Sequence, residues 1–251
     1  MTLEGTNTYV VDGYVIDPGP DDAGHLARVR EAAGGEIAGA LLTHGHSDHS
    51  AGAGALGAPL LWGEAMRESE MEALRRAFEA GAPDAIGDFG PHSAPNAPIP
   101  AEVGPFTLIA TPGHAPDHVC FVLGDVCFCG DLILGHGSSI VPPAAAGGSL
   151  ADYMRSLDTV EALDAELLAP GHGPWITDPA AKIAEYREHR LDRERRLVAA
   201  MERGERSRAA LLAEVWDDVP EQLRPAAAFA MQAHLEKLVD DGALALTDLV
   251  E

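Results

Sequence analysis

The stretch "LLTHGHSDHSAGAGALG", residues 41 to 57, sets three histidines and an aspartate within six positions and then runs into a glycine series. Three readings compete for it: a metal cage at Thr43 to His49, a nucleotide cradle at Gly52, Gly54 and Gly57, or a polar loop after a strand. The cradle is tested first, because "GAGALG" has the formal G-x-G-x-x-G spacing. That fingerprint binds a pyrophosphate only when its first glycine directly follows a strand and its last opens a helix, so that backbone amides meet the phosphates. Here the apolar run "IAGALL" ends near Leu42, and four potential metal ligands lie between it and Gly52. The glycines therefore read as small residues that let a helix pack closely beneath the loop. No G-x-x-x-x-G-K-[ST] occurs, and "GHSDH" departs from the G-x-S-x-G nucleophile elbow at its last position.

The metal reading fits better. Zinc takes neutral imidazoles or carboxylates at about 2.0–2.2 Å, and a catalytic site keeps one position for water. In an extended loop His44 and His46 can point the same way, while Asp48 and His49 on the following turn reach a second point nearby. Four ligands from six residues can thus line two adjacent metal positions. The surrounding sequence supplies further ligands at the ends of strand-like runs: His114 in "TPGHAPDH", Asp131 in "CGDL" and His172 in "APGHG". Each follows a small residue that would let the side chain lean into a cleft.

Working outward, "YVVDGYVID" (residues 9–17) reads as two β-rich runs around an Asp12-Gly13 hairpin turn. "PGPDD" breaks the second run and opens a helix, "DAGHLARVREAAGG", with acid at its start and glycine at its end. Beyond the quoted stretch, glycine-interrupted helix, the strand "APLLWG" and a charged helix around 64–80 precede a Pro-rich connecting loop, residues 90–105. "FTLIATPGH", "HVCFVLGD" and "VCFCGDLIL" read as three successive strands. A helix from about Ser149 to Leu163 precedes the strand in "AELLAPGHGP". From about 180 the pattern becomes nearly continuous helix: a long Arg/Glu-laced segment ending at Gly204, shorter helices near 207–216 and 220–240, and a terminal turn and strand in "DGALALTD". The expected domains are 1–180 and 181–251.

Bulk properties narrow the partners. The chain has 251 residues, long enough for an enzyme, and with 46% hydrophobic and 23% charged its composition is that of an ordinary soluble globular protein. It shows no apolar run long enough for a membrane span, and its first residues lack a signal peptide's basic and apolar regions, so the expected location is the cytoplasm. Cys120, Cys127 and Cys129 form no C-x-x-C pair and read as small strand residues, with a facultative Cys120–Cys129 disulfide as the alternative. Net charge is −23. Six basic and 25 acidic residues precede Lys182, against eleven and 15 from there on. An acidic surface repels phosphate backbones and anionic lipid, so only the C-terminal segment offers a polyanion contact.

The order of the cluster followed by strand-end His114, Asp131 and His172 resembles the metallo-β-lactamase superfamily of dinuclear hydrolases. "LEGTNTYVV", "IDPGP", "TPGHAPDH", "CGDLILGHGSS", "LADYMRSL", "PGHGP" and "AHLEKLVDDGAL" are similar to its winged-helix-capped subfamily, which includes the beta-lactamase-like endoribonucleases of animal mitochondria and bacterial relatives. The resemblance implies an α/β fold, an αββα four-layer sandwich followed by a small helical winged-helix-like C-terminal domain. Relatives usually carry another strand before "TLEGTNTY", so the resemblance implies either one edge strand fewer here or a numbering that starts late. Carried over residue by residue, it implies a first zinc on His44, His46 and His114, a second on Asp48, His49 and His172, and Asp131 as the bridge, with manganese or iron as alternative occupants.

Such a pair of cations shares a hydroxide at neutral pH, because each stabilises the deprotonated form of the water it binds. Asp48 would orient that hydroxide, which attacks the carbonyl carbon or phosphorus polarised by metal. His46 stands where a related oxygen-reducing di-iron class places glutamate, which favours hydrolysis over redox chemistry. His118 is expected to support the site by hydrogen bonding, Asp17 to fix the turn after its strand, and His136, Ser138 and Ser139 either to line the cleft or to form a bland glycine-rich loop. His25, His92, His189 and His234 are assigned exposed or structural roles.

The tail interleaves nine basic residues between Lys182 and Arg208 with six acidic ones, as on a solvated, salt-bridged helix. Its would-be recognition helix sets Arg224 and Lys237 against Glu236, Asp240 and Asp241, whereas a DNA reader concentrates basic residues there. It is read as a lid that packs on the core and borders the active-site mouth. The leading function is a zinc hydrolase of a small ester, thioester or lactone. The alternatives are a zinc-dependent single-strand endoribonuclease and a nucleic-acid-binding regulator without catalysis; the intact ligand set argues against the last.

Overall fold

The computed structural model describes residues 5–65, 68–81 and 98–244. The hairpin at the start is present: β1 (Tyr9–Val11) and β2 (Tyr14–Ile16) pair antiparallel through Asp12 and Gly13, both with positive φ. Helix α1 (Ala23–Ala33) starts where Asp22 accepts the His25 amide at 2.7 Å and stops at Gly34, whose left-handed φ of 70° turns the chain back. It returns the chain to β3 (Gly39–Leu41), parallel to β2, and β4 (Leu60–Trp62) completes a four-stranded sheet in the order β1-β2-β3-β4.

Alternation along β2 and β3 assigns the two faces of this sheet. Val15 and Ala40 pack outward with Leu26 and Val29 of α1, while Ile16 and Leu41 point to a second sheet. That sheet has the order β5 (Glu102–Val103), β6 (Phe106–Ala110), β7 (Val119–Leu123), β8 (Val126–Gly130), β9 (Leu167–Pro170), antiparallel except for β8-β9. Phe106, Phe121, Phe128 and Ala169 meet Ile16 and Leu41 between the sheets. Cys120, Cys127, Cys129 and Leu168 face the other way, onto Leu150, Tyr153 and Leu157 of α5 (Leu150–Glu161). Each large side chain sealed in these layers contributes roughly 1.5–3 kcal/mol. The layers run helix, sheet, sheet, helix, the αββα order expected. All three cysteines are free and buried, as small strand residues should be.

The differences from expectation are local. The interrupted helix after His46 is two single turns, α2 (Ser47–Ser50) and α3 (Ala53–Leu56), because Gly52 crosses so close to Gly19 and Pro20 that a Cβ would sit 3.0 Å from their carbonyls. The charged helix is α4 (Glu68–Glu79). Within the segment read as Pro-rich loop, β5 pairs with β6 around Gly104, whose φ of 57° makes the turn. His92 and most of the terminal strand of "DGALALTD" lie outside the described residues.

The C-terminal third is helical. α6 (Pro179–Glu202) is capped by Asp178, and α7 (Arg208–Val215) and α8 (Arg224–Asp240) pack on its far half through Leu197, Met201, Leu211, Trp216 and Leu235. Its near half lies on the αββα body: Ile183 and Tyr186, with Ala233 of α8, join the α5 cluster. Among the described residues no helix is long and apolar enough to cross a membrane.

Candidate metal centre

Four segments meet at one edge of the sandwich. The loop after β3 carries His44, His46, Asp48 and His49, and the chain beyond β6, β8 and β9 brings in His114, Asp131 and His172 respectively. Their donor atoms form two groups. His44 Nε2 lies 2.9 Å from His46 Nδ1, which is 3.0 Å from His114 Nε2. Asp48 Oδ2 lies 3.2 Å from His172 Nε2 and 3.6 Å from His49 Nε2. Asp131 stands between them, with Oδ1 3.4 Å from His49 Nε2 and Oδ2 3.4 Å from His172 Nε2 and 3.9 Å from His114 Nε2. All seven residues predicted from sequence are brought together, and three overlapping triads could each hold an ion.

The outer nitrogens decide which lone pairs face inward. His114 Nδ1 donates to Ile140 O at 2.7 Å, His172 Nδ1 to Gly5 O at 2.9 Å and His49 Nδ1 to Asp17 Oδ2 at 2.9 Å. His44 Nδ1 lies 3.0 Å from Thr43 Oγ1, which donates onward to Asp17 Oδ2 at 2.7 Å. With Nδ1 protonated in each of these four rings, Nε2 is the nitrogen left to bind a cation, which in His49 and His172 means displacing a proton. His49 Nε2 and Asp131 Oδ1 are buried without a hydrogen-bond partner, and a cation would satisfy both. A tetrahedral zinc needs ligand atoms roughly 3.3 Å apart, close to the spacings here. The residues fit a divalent metal.

Asp17 is the residue whose importance sequence reasoning missed. It does hold the turn, at a φ of 50°, but its buried carboxylate also accepts from Thr43 N, Thr43 Oγ1 and His49 Nδ1. Only the "IDPGP" motif signalled it. The amino-terminal segment is likewise part of the site: Thr6 Oγ1 donates to Asp48 Oδ2 at 3.2 Å, and Asn7 ties itself to Pro170 O and Gly173 O. Thr6 also borders a groove of about 460 Å³ lined by Tyr9, Val10, Arg28, Val29 and Trp175.

Without cations the charges sort by neighbour. Burial, together with the other imidazoles, holds His44 well below its ordinary range and pushes His46 down to about 3. Burial opposes charge on His49 too, but Asp131 and Asp17 overcome it and raise that ring well above its ordinary value. His172, against Asp131 and Asp48, is raised to about 10. Burial works against both carboxylates, yet His49 and His172 hold Asp131 and Asp48 below their ordinary range.

The glycines before the ligands have steric causes. A Cβ at Gly171 would meet Asp131 Oδ1 at 2.4 Å and His49 Cε1 at 2.6 Å; one at Gly113 would strike the Tyr153 backbone at 2.4 Å; one at Gly130 would meet Thr43 Oγ1 at 2.6 Å. His118 packs against the His44 ring, but its Nδ1 lies 2.8 Å from Thr111 Oγ1 and its Nε2 has no partner, so it supports the site by packing and not by the hydrogen bond expected. Ser139 is buried and donates to Asp131 O at 2.6 Å, so it braces the loop and does not line the cleft, whereas His136 and Ser138 are exposed. His25 is tied to Thr8 and Pro18 O, His189 is half-buried and His234 is buried in the helical part, all outside the centre.

This fold and donor set are those of a metal-dependent hydrolase family. The chain belongs to the metallo-beta-lactamase superfamily, whose pattern matches residues 1–172, and residues 207–247 match the beta-lactamase associated winged helix domain. The chain is 32% identical to the Beta-lactamase-like protein 2 homolog of Drosophila melanogaster over 97% of its own length and 85% of that protein's. It is 34% identical to the Atrochrysone carboxyl ACP thioesterase of Aspergillus chevalieri, over 79% of this chain and 61% of that one. A solved metallo-beta-lactamase family protein from Thermus thermophilus superposes with a TM-score of 0.68 at 25% identity, covering 95% of this chain and 89% of that one.

Proposed function

We propose that the chain is a dinuclear zinc hydrolase of a small ester, thioester or lactone, working in the cytoplasm. The observation that carries this reading is the convergence of two ligand groups on the carboxylate of Asp131. His44, His46 and His114 would hold one cation, Asp48, His49 and His172 the other, and Asp131 would bridge them. When bound, the pair supplies a shared hydroxide nucleophile at neutral pH and a Lewis acid for the scissile carbonyl.

The chain's own residues do the rest. Asp48 is the most exposed of the four carboxylate and imidazole groups around the second position, with 31% of its side chain accessible, so it faces the incoming substrate. Its Oδ2, grouped with His172 Nε2 and His49 Nε2, would hold the second cation and so orient the hydroxide towards the substrate. Thr6 steadies that oxygen. The groove beside Thr6 offers the apolar Tyr9, Val29 and Trp175 and the cationic Arg28 to the non-reacting part of a substrate.

Ion pairing in the tail favours a small molecule over RNA. Eight of the eleven basic residues from Lys182 onward are already paired with carboxylates, among them Arg187 with Asp158 and Glu161, Arg193 with Asp218 and Arg196 with Asp217. A groove that tracks a phosphate backbone needs unpaired cations. This reading divides the chain into a catalytic part, 1–180, and a cap, 181–251, that borders the site mouth; α8 reaches back through Glu236, which accepts from Ala144 N at 2.8 Å. The test is a screen of zinc-loaded protein against thioester, lactone, phosphodiester and RNA substrates, with Asp48→Ala as control. Turnover of a thioester or lactone that Asp48→Ala loses supports the reading; RNA binding that falls steeply with salt, with RNA as the only substrate cleaved, overturns it.

A further inference from the structure

Residues 131 to 140 serve both halves of the centre. Asp131 stands at one end, and at the other Ile140 O fixes the His114 ring. Three side chains from outside grip this loop by its backbone. Tyr153 of α5 donates to Leu132 O at 2.5 Å. Tyr186 of α6 accepts from Leu134 N at 2.9 Å and donates to Gly137 O at 3.0 Å. One helical turn further, Arg190 donates Nη2 to Ser139 O. Ser139 Oγ in turn donates to Asp131 O and lies 3.3 Å from His114 Nδ1.

Arg190 is an expensive choice for this task. It is 3% exposed, its guanidinium lies over the Tyr153 ring at 5.2 Å, and its Nε has no hydrogen-bond partner. Among the described residues no carboxylate lies within ion-pair distance of it, whereas the equally buried Arg193, three residues on, grips Asp218 with two bonds of 2.8 Å. A buried cation without a counter-ion costs several kcal/mol on the order of its desolvation. Local rules are broken at such cost where a position serves function.

We propose that Arg190 is a positioning residue for the metal centre: by fixing Ser139 it sets Asp131 and His114 relative to one another, and so tightens metal binding from the first helix of the cap without touching a metal. The inference rests on the dinuclear reading above. It ties the geometry of the centre to the seating of α6 on the body.

The test uses the full chain as wild type, Arg190→Met, Arg190→Lys and Arg193→Met. Each is read by competition with a chelator for zinc, by the visible spectrum of the cobalt-loaded protein, and by the thermal midpoint of the metal-free form. Arg190→Met is expected to bind zinc about 10- to 100-fold more weakly, the range for lost outer ligand partners, with altered cobalt bands. Arg190→Lys, which keeps a donor for Ser139 O, should recover most of that loss. Arg193→Met should lower the midpoint while keeping wild-type affinity and spectrum. Should Arg190→Met not fold, Arg190→Gln, too short to reach Ser139 O, makes the same comparison. Wild-type affinity and bands in a folded Arg190→Met or Arg190→Gln overturn the positioning role alone, as does an equal loss in Arg193→Met. A wild-type chain that takes up no metal overturns the dinuclear reading and this role with it.

Discussion

Asp17 Oδ2 accepts the Nδ1–H of His49 at 2.9 Å, and both residues are sealed from solvent. The same carboxylate binds the backbone and the hydroxyl of Thr43, so one side chain at the end of β2 orders the loop that carries four of the seven proposed ligands. Asp17→Ala is expected to weaken zinc binding about 10- to 100-fold. It should also lower the stability of the metal-free chain by about 3–5 kcal/mol, since removing one partner strands a buried charge. Zinc competition and a denaturant melt measure the two; an unchanged affinity would place Asp17 outside the account.

Metal uptake should release protons. His49 and His172 are raised above their ordinary values in the metal-free chain, so at neutral pH both rings carry a proton that a cation must displace. The heat of zinc binding should therefore vary with the ionisation enthalpy of the buffer, and affinity should fall as pH falls. Buffer-independent heats across phosphate-free buffers would show that these rings do not take up metal.

Gly171→Ala should abolish the second metal position while leaving the fold. Its Cβ would run into Asp131 Oδ1 and into His49, whose ring is held by Asp17. Bound zinc per chain is expected to drop by at least half, with a far-ultraviolet spectrum like the wild type. Full metal content in this variant would contradict the spacing on which the site rests.

A separate pH dependence belongs to the helical cap. His234 is buried with neither ring nitrogen bonded; burial and, more weakly, Arg190 press it down to about 4, against the pull of Glu194 Oε1 at 3.7 Å. Its folded value lies below its unfolded one, so the unfolded chain takes up a proton first as pH falls. Stability is complete above about pH 6.5 and declines towards pH 4, by about 2 kcal/mol between pH 8 and pH 5. His234→Met should flatten that part of the profile in denaturant midpoints. Parallel profiles for the two proteins would mean that another group sets the slope.

The reach of the sequence can be judged residue by residue. The seven proposed ligands were legible because T-H-x-H-x-D-H is a dense run of ligand types, because His114, Asp131 and His172 each follow a strand-like run and a small residue, and because their order resembles a known family. The hairpin at Asp12-Gly13, α1 and the strands β6 to β8 were legible because turn residues and alternation are local. β5 was not, since its only signal is Gly104 and its partner strand supplies the rest. In the sequence Asp17 is read only as fixing a turn, and Arg190 is not singled out, for a related reason: their contacts reach residues 26 to 51 positions away, which no local pattern records. Ser139 was placed in the cleft or a bland loop because its burial depends on α6, folded across it from the C-terminal third.

In the proposed centre, seven side chains from four segments share two divalent cations. Zinc-reconstituted, desalted protein analysed for metal content should hold two ions per chain, and Asp131→Ala, which removes the bridge, should hold one or fewer. A wild-type chain with no bound metal after reconstitution, or an Asp131→Ala variant that still holds two, would contradict it.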